Sequence, residues 1–439
     1  MAESWFAEHA LLPDGVARGV RFDIADGRFV NVTPGAAADG ATRLPGVVLP
    51  GFANCHSHAF HRALRGRTEA DGGTFWSWRT RMYSLASGLD PDRYLALARA
   101  VYAEMALAGI SAVGEFHYLH HGPDGRPYDD PNAMAEALRQ AAAEAGIRLT
   151  LLDTCYLAGG LDGDGHLPLD DVQRRFSDGD AEAWATRVAA LHEDANTRVG
   201  TAIHSVRAVP RDAFETVRHV APGRPLHLHL SEQLAENDAC REHYGVTPTV
   251  LLDDAGVLTP ATTAVHATHV NSADVQRLVA SHATVCLCPT TERDLADGIG
   301  PAREFADAGV PLSIGSDQHA VIDMFEEARG MEMHERLVSR RRGRFDPDGL
   351  LDVLTRHDRI GWPDAGHLAV GRRADLVAVR LDSVRTAGCD PAQILFAAGA
   401  ADVDTVIVDG CSVVQDGRHV LGDVGALLAK AIEDAWQPS

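Results

Sequence analysis

Two histidines one residue apart, His56 and His58, follow an apolar run, Val47 to Leu49, that passes through Pro50 and Gly51. Alternate residues of an extended chain point the same way. The pair therefore projects two imidazoles from one strand end, half of the donor set for a zinc-type cation. Three later stretches carry groups of the same kind. In Pro225–Glu232, His227 and His229 share a face, and periodicity alone does not choose between them. His229 lies nearer the strand end and is preferred as the ligand, leaving His227 as an inner-barrel histidine. Glu232 follows, where a carboxylate can reach bound water without ligating the ion. His266 ends the next such run, with His269 already in the loop beyond it. Asp317 closes Ser313–Asp317 and offers a hard anionic ligand and a proton acceptor; an aspartate there could equally cap a helix.

These residues need a scaffold that brings distant strand ends together. Eight candidate strands fall at about 47–55, 110–116, 147–155, 198–205, 225–230, 262–267, 283–288 and 311–316, alternating with helical segments. Asp90 and Pro91 open one helix, which Gly109 ends; Asp130 and Pro131 open the next, and Gly146 closes it. The alternation predicts an α/β chain with a parallel sheet closed as a (β/α)8 TIM barrel over residues 47–365. The competing open sheet is weakened because no glycine-rich dinucleotide loop follows the first strand. Residues 1–46 and 366–439 read instead as short strands and turns, expected to fold together as a small β-sandwich domain. Catalytic groups of such barrels sit at the C-terminal strand ends. Strands 1, 5, 6 and 8 thus deliver His56, His58, His229, His266 and Asp317 to one rim. Three histidines and an aspartate suit one divalent metal with a position left open for water. Zinc is the first choice, with iron or manganese also compatible with nitrogen and oxygen donors.

The composition narrows the function. The chain has 439 residues, 40 basic against 62 acidic, and a net charge of −22, which argues against nucleic acid as a partner. No apolar stretch is long enough for a transmembrane helix. Seven scattered cysteines and no opening signal peptide point to a reduced, cytoplasmic protein. Lys430 is the only lysine, so a Walker lysine, a core Schiff base and a carbamylated lysine bridging two metals are all excluded.

His56-x-His58, His229-x-x-Glu232, His266 and Ser316-Asp317 resemble the amidohydrolase superfamily, in particular its one-metal deaminases. The likeness extends to Gly366–Leu376 and covers nearly the whole chain. It implies that His56, His58, His229 and Asp317 hold the metal, while Glu232, His266 and Asp317 move protons. A finer resemblance, to the formimidoylglutamate deiminases, rests on Cys55–Ala63, Phe75–Arg79, Glu115–His121 and His204–Val209. It implies hydrolysis of N-formimidoyl-L-glutamate to N-formyl-L-glutamate and ammonia, a step of histidine degradation, by a homodimer. A small dicarboxylate of this kind calls for local arginines in so acidic a chain. Arg79 and Arg207 are the candidates, with Tyr118, His204 and His61 as further hydrogen-bonding groups; His61 stands where some members of that family have glutamine. Two alternatives remain: a deaminase of a guanine, cytosine or adenosine-type ring, and a non-catalytic amidohydrolase-like binding protein.

Overall fold

Eight parallel strands carry the candidate residues. They are Phe52–Ser57, Ile110–His117, Arg148–Cys155, Thr197–Ile203, Leu226–Leu230, Thr262–His266, Thr284–Leu287 and Leu312–Ile314, hydrogen-bonded in that order. The computed structural model describes residues 3–68 and 75–437. The second and third strands are buried at every position, as a parallel sheet covered by helices requires. The sheet closes into a barrel where Ser57 bridges Asp317 in parallel. There Asp317 N donates to His56 O at 3.0 Å, and His58 N donates to Asp317 O at 3.1 Å.

The run 47–55, expected as one strand, is two. Thr42–Pro50 pairs within a second sheet, and the barrel begins only at Phe52. Pro50 has no N–H with which to extend a ladder. Gly51 passes so close to the barrel that a Cβ there would lie 2.4 Å from Ser111 Oγ. Two unlike sheets thus share one apolar run, and apolarity alone does not mark the break.

The helix Pro91–Leu107 opens as expected, with the Asp90 side chain accepting from Arg93 N at 2.9 Å. The next helix, Ala133–Ala145, starts later than its Asp130-Pro131 signal, because Asp130 caps a local turn through Asn132 N at 2.9 Å. It ends at Gly146, whose φ of 75° is the left-handed conformation glycine adopts freely.

Both chain ends meet in one further eight-stranded sheet. In spatial order it runs Arg418–His419, Cys411–Gln415, Val403–Val408, Leu376–Val379, Thr42–Pro50, Glu3–Leu12, Gly15–Ala25 and Arg28–Thr33. The two ends join where Leu376–Val379 lies antiparallel to Thr42–Pro50. Val20, Phe22, Phe29, Leu44, Leu376 and Ile407 form its own core. No helix among the described residues is long and apolar enough to cross a membrane.

A buried ion pair ties this sheet to the barrel. Arg148, at the start of the third barrel strand, donates through Nη1 to Asp375 Oδ1 at 3.0 Å and through Nη2 to Asp375 Oδ2. Asp375 also accepts from Ser111 Oγ and Asp409 N. Burial alone would raise the Asp375 carboxyl, but the Arg148 guanidinium outweighs it and holds it below the usual carboxylate range. Removing one member of such a pair strands the other without a counter-charge. Arg148→Met is expected to lower stability to denaturant by about 3–5 kcal/mol, with Arg148→Met/Asp375→Leu recovering part of the loss. An unchanged unfolding midpoint in the single variant would show that this pair does not fasten the two sheets.

Candidate metal and substrate site

His56 and His58 leave the first barrel strand at the seam with the eighth. His58 Nδ1 donates to Phe116 O at 3.0 Å, and His229 Nδ1, from the fifth strand, donates to His204 O at 2.9 Å. Each ring therefore turns the lone pair of Nε2 inward. His56 Nε2 and His229 Nε2 are 3.1 Å apart. Asp317 Oδ1 lies 3.4 Å from His56 Nε2 and 3.3 Å from His58 Nε2. Ligands about 2.0–2.1 Å from a tetrahedral zinc would stand about 3.3 Å from one another. Converging lone pairs repel unless a positive charge lies among them. Burial pushes His56 down to about 3 and His229 well below its usual value, so protons do not supply that charge at neutral pH. The donor set therefore fits one divalent cation.

The groups expected to move protons line the same rim. His266 Nε2 stands 3.6 Å from Asp317 Oδ2 and 3.7 Å from Glu232 Oε1. Its Nδ1 faces Glu292 Oε1 at 3.4 Å. Burial opposes a charge on His266, but the carboxylates of Glu232, Glu292 and Asp317 outweigh it and hold the imidazole well above its ordinary value. Glu232 Oε2 meets Arg207 Nη2 at 3.4 Å, and Arg207 Nε meets the buried Glu236 at 3.3 Å. His266 and Asp317 have φ of 69° and 44°, left-handed values that ordinary residues rarely take and that cluster at functional sites. Of the alternatives in the fifth strand, His227 points elsewhere: its Nε2 lies 3.3 Å from Arg359 O.

A cavity of about 270 Å³ opens over these groups. Its lining includes all five residues expected to contact substrate: His61, Arg79, Tyr118, His204 and Arg207. Tyr118 Oη and His61 Nε2 are 2.8 Å apart. Arg79 Nε donates to Tyr83 Oη at 2.6 Å, and Nη2 to Gly159 O at 3.1 Å. Arg79 lies on the helix Phe75–Ser87; the side chains of Phe75 and Trp76, two members of the motif that contains it, fall outside the described residues.

Sequence reasoning missed much of the wall. Trp78, Met82, Tyr83, Tyr156 and Phe176 line the cavity too. Tyr83 sits four residues after Arg79 on one helix, a spacing that pairs side chains. Tyr156 follows immediately after the third strand, so the strand-end rule could have found it. Glu236 and Glu292 carried no such signal, being helix residues whose partners come from other elements.

A second gathering of possible ligands, His117, His120 and Asp153, lies apart. Asp153 there accepts from both Arg187 Nη atoms at 2.8 Å and from Trp184 Nε1 at 2.9 Å. His120 Nε2 donates to Thr154 O at 2.9 Å. The Arg187 guanidinium already supplies the positive charge that Asp153 requires.

Metal analysis separates these assignments. Protein dialysed free of loose ions is expected to retain about one equivalent of divalent metal, and His229→Ala or Asp317→Ala to retain under about a tenth of that. His227→Ala should keep the full complement. The reverse pattern between His227 and His229 would reassign the ligand.

Known proteins resemble this chain along nearly its full length. The sequence model of the amidohydrolase family matches residues 47–413. That of the formimidoylglutamate deiminase HutF N-terminal domain matches residues 4–46. The chain is 41% identical to the formimidoylglutamate deiminase of Pseudomonas aeruginosa, over 94% of this chain and 95% of that protein. It is 31% identical to an 8-oxoguanine deaminase of the same organism, over 88% and 86%. Among solved structures, an amidohydrolase from Brucella melitensis superposes with a TM-score of 0.90 at 34% identity, covering 99% of this chain and 100% of that one. By its barrel and these matches along nearly its full length, the chain belongs to the amidohydrolase family.

Proposed function

We propose that this protein hydrolyses N-formimidoyl-L-glutamate to N-formyl-L-glutamate and ammonia, a reaction of histidine degradation. The observation that carries this reading is the pair of arginines, Arg79 and Arg207, in the wall of a small cavity that ends at the metal-ligand set. Guanidinium groups recognise carboxylates, and the substrate has two. A planar nucleobase carries no carboxylate for either of them to meet. The 41% identity to a formimidoylglutamate deiminase supports the same choice.

His56, His58, His229 and Asp317 would hold one cation, taken as zinc from the three-nitrogen, one-oxygen donor set. Such an ion supplies Lewis-acid activation of water. Asp317 Oδ1 faces the imidazoles, which leaves Oδ2 as the oxygen able to accept a proton. His266 Nε2, beside that oxygen, orients the attacking water and hydrogen-bonds the oxygen that adds to the formimidoyl carbon, while the C=N electron pair moves onto nitrogen. Glu232 Oε1 carries a proton to the nitrogen that leaves as ammonia. Arg207 engages the other oxygen of Glu232 and so aims this carboxylate as well as facing substrate. Arg79, Tyr118, His204 and His61 fix the glutamate portion. The seven cysteines are all free thiols, which supports a reducing compartment, the cytoplasm. By resemblance to its relatives the protein is taken to act as a homodimer.

The direct test is ammonia release from N-formimidoyl-L-glutamate, set beside guanine, 8-oxoguanine, cytosine and adenosine. Turnover of the linear amidine alone is expected; turnover of a ring and not the amidine would overturn the assignment. Glu232→Gln should reduce kcat by roughly 10²- to 10⁴-fold with metal content unchanged. The two arginines should separate kinetically. Arg79→Gln is expected to raise KM with little change in kcat, and Arg207→Gln to damage both, because only Arg207 also positions Glu232.

A further inference from the structure

Behind the wall that holds Arg79 lies Gln173, the first residue of a short 3-10 turn, Gln173–Phe176, with its side chain buried. A reciprocal pair of bonds settles its orientation. Asp170 N donates to Gln173 Oε1 at 2.9 Å, and Gln173 N donates to Asp170 Oδ1 at 2.7 Å. With the oxygen committed, the amide nitrogen is the end that faces the cavity wall. Its two protons are shared among three acceptors, Tyr83 Oη at 2.9 Å, Tyr156 Oη at 3.1 Å and Gly159 O at 3.0 Å. Two of those acceptors, Tyr83 Oη and Gly159 O, are the groups that hold Arg79.

A hydroxyl has two lone pairs and one proton. At Tyr83, Arg79 and Gln173 take both lone pairs, so the hydroxyl proton turns away from both. At Tyr156 the bond from Gln173 likewise turns the proton away from the amide. Both rings line the cavity. Burial, together with Tyr83 alongside, keeps the Tyr156 phenol well above its usual value, so it remains a donor at neutral pH.

We propose that Gln173 is a positioning residue for substrate carboxylate: its amide fixes Arg79 through shared partners and leaves the Tyr156 hydroxyl a hydrogen-bond donor toward the cavity. The function of the side chain depends on its being an amide. A carboxylate at this position would accept the Tyr156 hydroxyl proton, draw it inward and compete for Arg79. This inference rests on the formimidoylglutamate reading above.

Steady-state kinetics with N-formimidoyl-L-glutamate on metal-replete protein test it. Gln173→Leu is expected to raise KM about tenfold with kcat within about threefold of wild type. Gln173→Glu, closer in shape to the native residue, should raise KM further. A merely structural role predicts the opposite order, with the isosteric variant the milder. Tyr156→Phe, which removes one oxygen, should raise KM on its own. It should add little in the Gln173→Leu background, because the two residues act through one contact. Wild-type KM in Gln173→Glu, a fall in kcat at constant KM, or full additivity of Gln173→Leu with Tyr156→Phe would overturn the proposal. If Gln173→Leu does not fold, unchanged KM in Tyr156→Phe overturns it as well. Failure of the underlying reading is seen separately, as absence of wild-type turnover of this substrate while a ring substrate is deaminated.

Discussion

The site depends on one seam. Two backbone hydrogen bonds, Asp317 N to His56 O and His58 N to Asp317 O, close the barrel and in the same stroke set Asp317 between the imidazoles of the first strand. The approach is possible because residue 315 is glycine: a Cβ there would lie 2.7 Å from both His56 Cβ and His56 O. Asn54 and Ser316 lock the seam from within, Asn54 Nδ2 donating to Ser316 Oγ at 2.7 Å and Ser316 N to Asn54 Oδ1 at 2.9 Å. Asp317 then leaves the strand in a left-handed conformation. Such strain persists only where surrounding contacts over-determine the backbone, and here they come from both sides of the closure.

Burial does much of the electrostatic preparation. It keeps His56 and His229 uncharged, so their lone pairs are available. Behind them, burial pushes Glu115 up to about 7; it accepts from Ala59 N and Ser57 Oγ, each at 2.6 Å, and props the turn that follows His58. Carboxylates beside the cation site and two arginines in the cavity wall suit a substrate with an amidine head and carboxylate tail. A net charge of −22 does not reveal this local mixture of charges.

The wall is organised as a set of paired groups. Arg207 spans Glu232 and Glu236; Arg79 is held by Tyr83 and Gly159; Tyr118 is joined to His61. Each cation or hydroxyl therefore keeps a defined direction before substrate arrives, and less ordering remains to be done on binding.

The sequence by itself determined the inventory. Alternation of strand and helix implied the barrel, the His-x-His pair and the strand-end rule located the metal-competent groups, and the absence of lysine before Lys430 excluded a carbamylated bridge. These features are local, since they depend on periodicity of two, on capping residues or on residue type. What only the tertiary structure decided is non-local. His229 was separated from His227 by which carbonyl each ring meets, and the apolar run at 47–55 was divided between two sheets by close packing at Gly51. Glu236, Glu292 and Gln173 acquired their places from partners in other elements of the chain. A hydrogen bond is a relation between two groups, and spacing along one strand or helix specifies only one of them.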